Sequence, residues 1–158
     1  NALYGRGFAK EGWKAIKTLT DAGINFDKSR IYPGVPEYFS SDGRGMYNYL
    51  TGAASWLMMT VVQEMYGIKG VAGDLVITPR LCADQFDADG AAEISLPFAG
   101  SRINVIIENP GKKDAGSYQI SGAFLNGNEL SHDSDSVSIS RALIENKDKV
   151  ADIRIMLG

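Results

Sequence analysis

Cysteine and histidine are almost absent: the 158 residues hold one of each, Cys82 and His132. A single cysteine excludes an internal disulfide framework and fits a reducing compartment. Cys82 has neither a CxxC partner nor a nearby histidine, so it reads as a buried or half-buried bystander. Charge of one sign is also lacking, with 16 basic against 19 acidic residues and a net charge of −3. The lysines and arginines are scattered, which leaves no basic field for nucleic acid. There is no long hydrophobic run. The longest, Ala53 to Val62, is well short of the ~20 residues a bilayer helix needs. Arg6, Lys10 and Glu11 break up the amino-terminal stretch and exclude a signal peptide there. The expectation is a cytoplasmic protein without nucleic-acid or membrane partners. Its length suits one ordinary domain, or a small domain plus a piece of another. The chain opens on Asn1-Ala2 rather than Met, and it reads as a fragment of a longer gene product.

What is present changes character along the chain. Phe8, Ala9, Trp13, Ile16 and Leu19 recur at helical spacing, with Lys10, Glu11, Lys14 and Lys17 on much of the other side. This predicts a helix over Phe8 to Ala22, stopped by Gly23. Asn25 to Asp42 reads as an irregular link, because Pro33 and Pro36 forbid a helix and push Tyr32 and Val35 toward extended backbone. Gly52 to Tyr66 predicts a second helix that is apolar on nearly every face. Such a helix must be buried all round. Each large apolar side chain left in water forgoes ~1.5–3 kcal/mol, against a net stability of only ~5–15 kcal/mol.

From Gly67 the period becomes two. Asp74 to Thr78 reads as a strand, and Ile94, Leu96, Phe98 and then Ile103, Val105, Ile107 alternate with other residues. Tyr118, Ile120 and Phe124 share a parity, as do Val137 with Ile139, and Ile153, Ile155 with Leu157. Turn signals separate these runs, above all Asn126-Gly127, a type I′ hairpin signal. Short strands divided in this way predict an antiparallel sandwich or jelly roll. Ser140 to Asn146 reads as a brief helical turn.

The chemistry-bearing stretch lies between Ile31 and Tyr66. Gly43-Arg44-Gly45 leads through an aromatic ladder to Thr51-Gly52, where the apolar helix begins. A Thr cap and a side-chain-free Gly at a helix start leave backbone N–H groups able to face an anion. Capping by Thr is also routine, so these residues alone equally describe a structural cap. The order YPGVPEYF, then GRGMYNYLTGAASW, then GIKGVAGDLVITPRL resembles the C-terminal part of the inverting glycoside phosphorylases. These enzymes split cellobiose, cellodextrins and laminaribiose with phosphate. The resemblance covers most of the chain and is strongest from Arg30 to Leu81.

The resemblance implies an α+β protein: the terminal helices of an (α/α)6 barrel over residues 1–70, then a jelly-roll-like antiparallel β-sandwich over 71–158. It implies that Thr51 and Gly52 contact the attacking phosphate. Glu37 and Tyr38 become candidates for substrate binding, and Arg44 a candidate for steering anions from behind the site. Inorganic phosphate enters as co-substrate, with no cofactor and no metal. The parent would be a glycosyltransferase-type phosphorylase yielding α-glucose 1-phosphate from a β-gluco-oligosaccharide, and a homodimer through or beside the barrel. Inverting phosphorolysis needs one protein acid, since phosphate replaces the activated water of an inverting hydrolase. In the family that Asp lies upstream of anything present here, as do the Arg and His that complete the phosphate site. The isolated chain is therefore expected to be inactive, and His132 to be solvated. Asp87-Ala88-Asp89-Gly90 superficially resembles a calcium loop but lacks its later ligands. The rival readings are a non-catalytic carbohydrate-binding sandwich and a structural or assembly module. The first needs exposed aromatics on a strand face, whereas Phe98, Tyr118 and Phe124 share the parity of the core residues.

Overall fold

Helical and alternating apolar patterns segregate along the chain, and the structure separates them in the same way. The computed structural model describes residues 1–31, 34–47, 52–145 and 150–158. It is a mixed α+β protein in two units, Asn1–Val62 and Gln63–Gly158.

The first unit holds α1 (Ala2–Gly5), α2 (Ala9–Ile24), α3 (Phe26–Ser29), the short strands β1 (Tyr38–Phe39) and β2 (Gly45–Met46), and α4 (Ala53–Met59). Helix α2 runs through Gly23, the expected stop, and ends at Asn25, whose φ of −76° and ψ of 77° leave the helical region. It buries Ala9 and Gly12. Gly12 is needed there, because a Cβ would lie 2.6 Å from Cε2 of the Tyr4 ring. On the wet side Lys17 pairs with Asp21 at 2.6 Å, one turn on. The expected irregular link contains α3, closed by Arg30 in the left-handed region at φ 53°, whose N–H donates to the Phe26 carbonyl. The second predicted helix is not uniform. After α4 the chain widens into a π-helical stretch, Thr60–Met65, where Thr60 Oγ1 donates to the Trp56 carbonyl at 2.7 Å. Such back-bonding one turn away competes with the regular ladder.

The second unit contains β3 (Ile68–Val71), β4 (Asp74–Ile77), a 3-10 turn (Ala83–Gln85), β5 (Ala91–Phe98), β6 (Ser101–Glu108), β7 (Ile120–Leu125), β8 (Asn128–Glu129), β9 (Val137–Ile139), α5 (Arg141–Ile144) and β10 (Val150–Leu157). They form two sheets, ordered β3-β4-β9 and β5-β6-β10-β7-β8. The expected strand residue Thr78 falls just past β4, and the expected turn after Ser140 is α5. The expected domain boundary at residue 70 falls within β3.

Wholly antiparallel pairing holds for the described pairs except one. Strand β10 lies parallel to β6, with Ile153 opposite Val105, and antiparallel to β7, with Ile155 opposite Ala123. A parallel pair needs a long crossover, and the excursion through β7, β8, β9 and α5 supplies it. Alternation then fills the core. Ile103, Val105, Ile107 and Ile155 are wholly buried, as are Leu75, Ile77 and Val137 of the smaller sheet. Leu75 faces Ile139 and Ile77 faces Val137 across β4 and β9.

The parity expected for Phe124 fails. A register shift between Met156 and Leu157 interrupts the β7–β10 ladder. Ala123 and Leu125 are buried, so Phe124, between them, turns to the opposite face, across from Arg154. An extra residue in a ladder reverses which side chains face inward. The turn after β7 follows the sequence: Asn126 and Gly127 have φ of 50° and 82°, as a type I′ turn requires.

Candidate functional site

The hairpin of β1 and β2 gathers three of the residues singled out in the sequence. Tyr38 pairs with Met46 and Phe39 with Gly45. The N–H of Glu37 donates to the carbonyls of Met46 and Tyr47, each at 3.1 Å. Glu37, Tyr38 and Arg44 are all exposed. The two glycines flanking Arg44 have separate steric causes. Gly43 turns at φ 86°, where an L side chain is strained. Gly45 is buried against Ile31 and Pro36, and a Cβ there would lie 2.5 Å from Ile31 Cγ1.

The hairpin tip is tied by Ser40, whose N–H donates to the Arg44 carbonyl at 2.9 Å. Its hydroxyl donates to Asp42. That bond, the Arg44 N–H and the Arg44 charge hold the Asp42 carboxyl below its ordinary range. The tip thus sets an acidic side chain beside the Arg44 cation.

Tyr47, in the aromatic ladder before the apolar helix, is 63% exposed. Its backbone sits at φ 52°, and its ring stands 5.7 Å from that of Tyr38 at a 40° tilt. The two tyrosines form an exposed aromatic pair, a surface on which an apolar ring face can rest. Tyr49, further along the aromatic ladder, lies outside the described residues.

Thr51 also lies outside the described residues. Gly52 directly precedes α4, with φ −73° and ψ −11°, and its carbonyl accepts the Trp56 N–H at 2.8 Å. A Cβ on Gly52 would approach Trp56 Cδ1 to 2.9 Å. The missing side chain thus makes room for the indole, whatever else approaches the exposed backbone. No residue of α4 is buried. Trp56 and Met58 are 59% and 69% exposed, against the expectation of burial on every face. Among the described residues, the core side chains of this unit are Tyr4, Ala9 and Ile31, a small set to cover a largely apolar helix.

Asp87, Asp89 and the lone histidine lie outside helices and strands. Asp87 Oδ1 accepts the N–H groups of Asp89 and Ala91 at 2.9 and 2.8 Å, an Asx turn that occupies its carboxylate. His132 is exposed, with Nδ1 2.9 Å from the Asp133 carbonyl. Among the described residues no group of three or more His, Cys, Asp and Glu is placed to hold a metal ion. Cys82 is buried, and its N–H donates to Gln85 Oε1 at 2.8 Å. Among the described residues no helix is long and apolar enough to cross a membrane. No family model and no curated protein sequence matches the chain.

Proposed function

We propose that this chain is the C-terminal segment of an inverting glycoside phosphorylase. In this reading α2 and α4 are late helices of an (α/α)6 barrel, and the second unit is its jelly-roll-like β-sandwich. The observation that carries the reading is α4. It is apolar on nearly every face yet has no buried residue, and it follows the Thr51-Gly52 pair of the family-like motif. An apolar face of this kind suits packing against other barrel helices. The exposed Gly52 backbone leaves the helix start open to a ligand. The Tyr38–Tyr47 pair and Glu37, on one hairpin, supply an aromatic surface and a carboxylate for a sugar.

The parent enzyme works as follows. Phosphate sits at Thr51 and Gly52, where backbone and hydroxyl donors orient it on the face of the sugar opposite the leaving group. An upstream carboxylic acid protonates the glycosidic oxygen while a phosphate oxygen bonds to the anomeric carbon, inverting it. The products are α-glucose 1-phosphate and a shortened sugar. One charge-assisted hydrogen bond contributes ~1.5–3 kcal/mol, and the helix dipole ~0.3–1 kcal/mol. Holding phosphate at millimolar concentration requires about 4.1 kcal/mol. This segment therefore supplies part of the site, and upstream residues the rest.

The test uses the longer gene product. With cellobiose, cellotriose or laminaribiose and phosphate it should release α-glucose 1-phosphate. Thr51→Val should lower kcat/KM for phosphate about ten- to hundredfold, the loss of one such bond. Absence of phosphorolysis with all three sugars ends this reading.

A further inference from the structure

The outer face of the five-stranded sheet carries two adjoining hollows, of about 620 and 290 Å3, that share Ile106 and Asp152. The larger falls in the ~300–1,000 Å3 range of small-ligand sites. Its apolar floor is Ile106, Phe124 and Met156, and the register explains how they meet. Ile106 and Phe124 flank Arg154 on neighbouring strands, and Met156 stands two residues further along β10. Gly122 opposes Met156. A Cβ there would lie 3.2 Å from Phe124 Cε2 and 3.7 Å from Met156 Sδ, so the glycine lets ring and thioether settle low on the sheet.

One row over, polar side chains are already ordered. Arg102 Nε donates to Ser95 Oγ at 2.8 Å, Ser95 Oγ to Asn104 Oδ1 at 2.7 Å, and Asn104 Nδ2 to Asp152 Oδ1 at 3.0 Å. The Asp152 backbone is pinned by Asn126 Oδ1, which accepts its N–H at 3.0 Å. Arg154 is held to Glu108 at 2.6 Å. Fixed side chains lose little freedom on binding, which is how preorganisation raises affinity.

The chemistry selects the ligand. Asp152, with Glu93 opposite Ile106 and Glu129 opposite Phe124, disfavours anions. The apolar floor is narrow and flanked by hydrogen-bonding groups, unlike the broad apolar surface a docking helix requires. A pyranose ring offers what fits: a C–H face for the floor and a rim of hydroxyls that both donate and accept. We propose that this face binds a neutral oligosaccharide, with Phe124 and Met156 beneath the ring and Asp152 and Asn104 at its hydroxyls. The inference rests on the sheet alone and stands apart from the phosphorylase reading.

The whole 158-residue chain is titrated with cellohexaose, laminarihexaose, maltohexaose and xylohexaose, followed by amide chemical shifts and calorimetry. At least one should saturate, with shifts centred on Asn104, Ile106, Phe124, Asp152 and Met156. Asp152→Asn and Phe124→Leu, both conservative in volume or shape, should each weaken it about tenfold or more. No response to any of the four at about 10 mM, or unchanged affinity in both variants, overturns the proposal. If the hexaose binds while the parent fails to phosphorolyse, only the first reading falls. The converse removes only this one.

Discussion

In the first unit Phe8, Ile24, Phe26, Tyr47, Trp56 and Met58 are each more than half exposed. In the second, the apolar residues of β4, β6, β9 and the inward side of β10 are almost all buried. Apolar content does not separate the two regions; arrangement does. Alternation along a strand sends every second side chain to one face, and a neighbouring strand in register completes that face. A helix that is apolar all round has no such partner built into its own sequence. It needs cover from several directions, and α1, α2 and α3 leave α4 without a buried residue. Strands of the second unit carry their own complement in the sequence, whereas α4 depends on whatever packs around it.

The largest expected effect lies in the second unit. Ile153 is buried between β6 and β7 partners, and Ile153→Ala should cost about 2–5 kcal/mol in urea unfolding. A cost under about 1 kcal/mol would show that this core is not the close-packed half of the contrast. Next comes Gly45→Ala in the first unit, where the new methyl meets Ile31 and Pro36. Overpacking should cost about 1–3 kcal/mol, read as faster proteolysis within residues 31–47. An unaffected digestion pattern would mean the hairpin yields without resistance.

The third prediction concerns Tyr66, whose hydroxyl donates to the Glu93 carbonyl at 2.9 Å. Burial first, and the Glu93 charge second, raise its pKa above the ordinary 10.0. The folded phenol resists ionising while the unfolded one ionises at its ordinary value, so alkali draws the chain toward the unfolded state. The stability present below pH 10.0 is therefore lost as pH rises through the folded value. Tyr66→Phe should flatten that alkaline decline and cost about 0.5–1.5 kcal/mol at neutral pH. An unchanged alkaline slope in melts of the variant would remove Tyr66 from the account. The smallest effect belongs to α4. Met58→Ser should alter the stability of the chain by no more than about 0.5 kcal/mol, and a loss several times larger would mean that the exposed helix is covered in solution.

The period of the β region was legible because strands announce themselves through local alternation, and the Asn126-Gly127 turn through residues that tolerate positive φ. The parallel placement of β10 was not, since both of its neighbours lie far away in sequence and alternation is silent on strand direction. Phe124 misled for a related reason: parity counted from Ile120 crosses an irregularity that only the β10 partner reveals. In the candidate site, Gly43 and Gly45 were visible as glycines, but their separate causes, a turn and the contact with Ile31, needed coordinates. The pairing of Tyr47 with Tyr38 was not legible, because it depends on the hairpin bringing β1 against β2.

The place of β10 in the middle of its sheet has a consequence for synthesis on the ribosome. Strands β5, β6 and β7 emerge first, and the seam between β6 and β7 stays open until Val150–Leu157 follows them out. Until then the nascent polypeptide exposes two unpaired strand edges, the kind of template that invites pairing with the wrong chain. Native pairing of this sheet thus waits on β10, and a ribosome stalled shortly before it would hold a sticky intermediate.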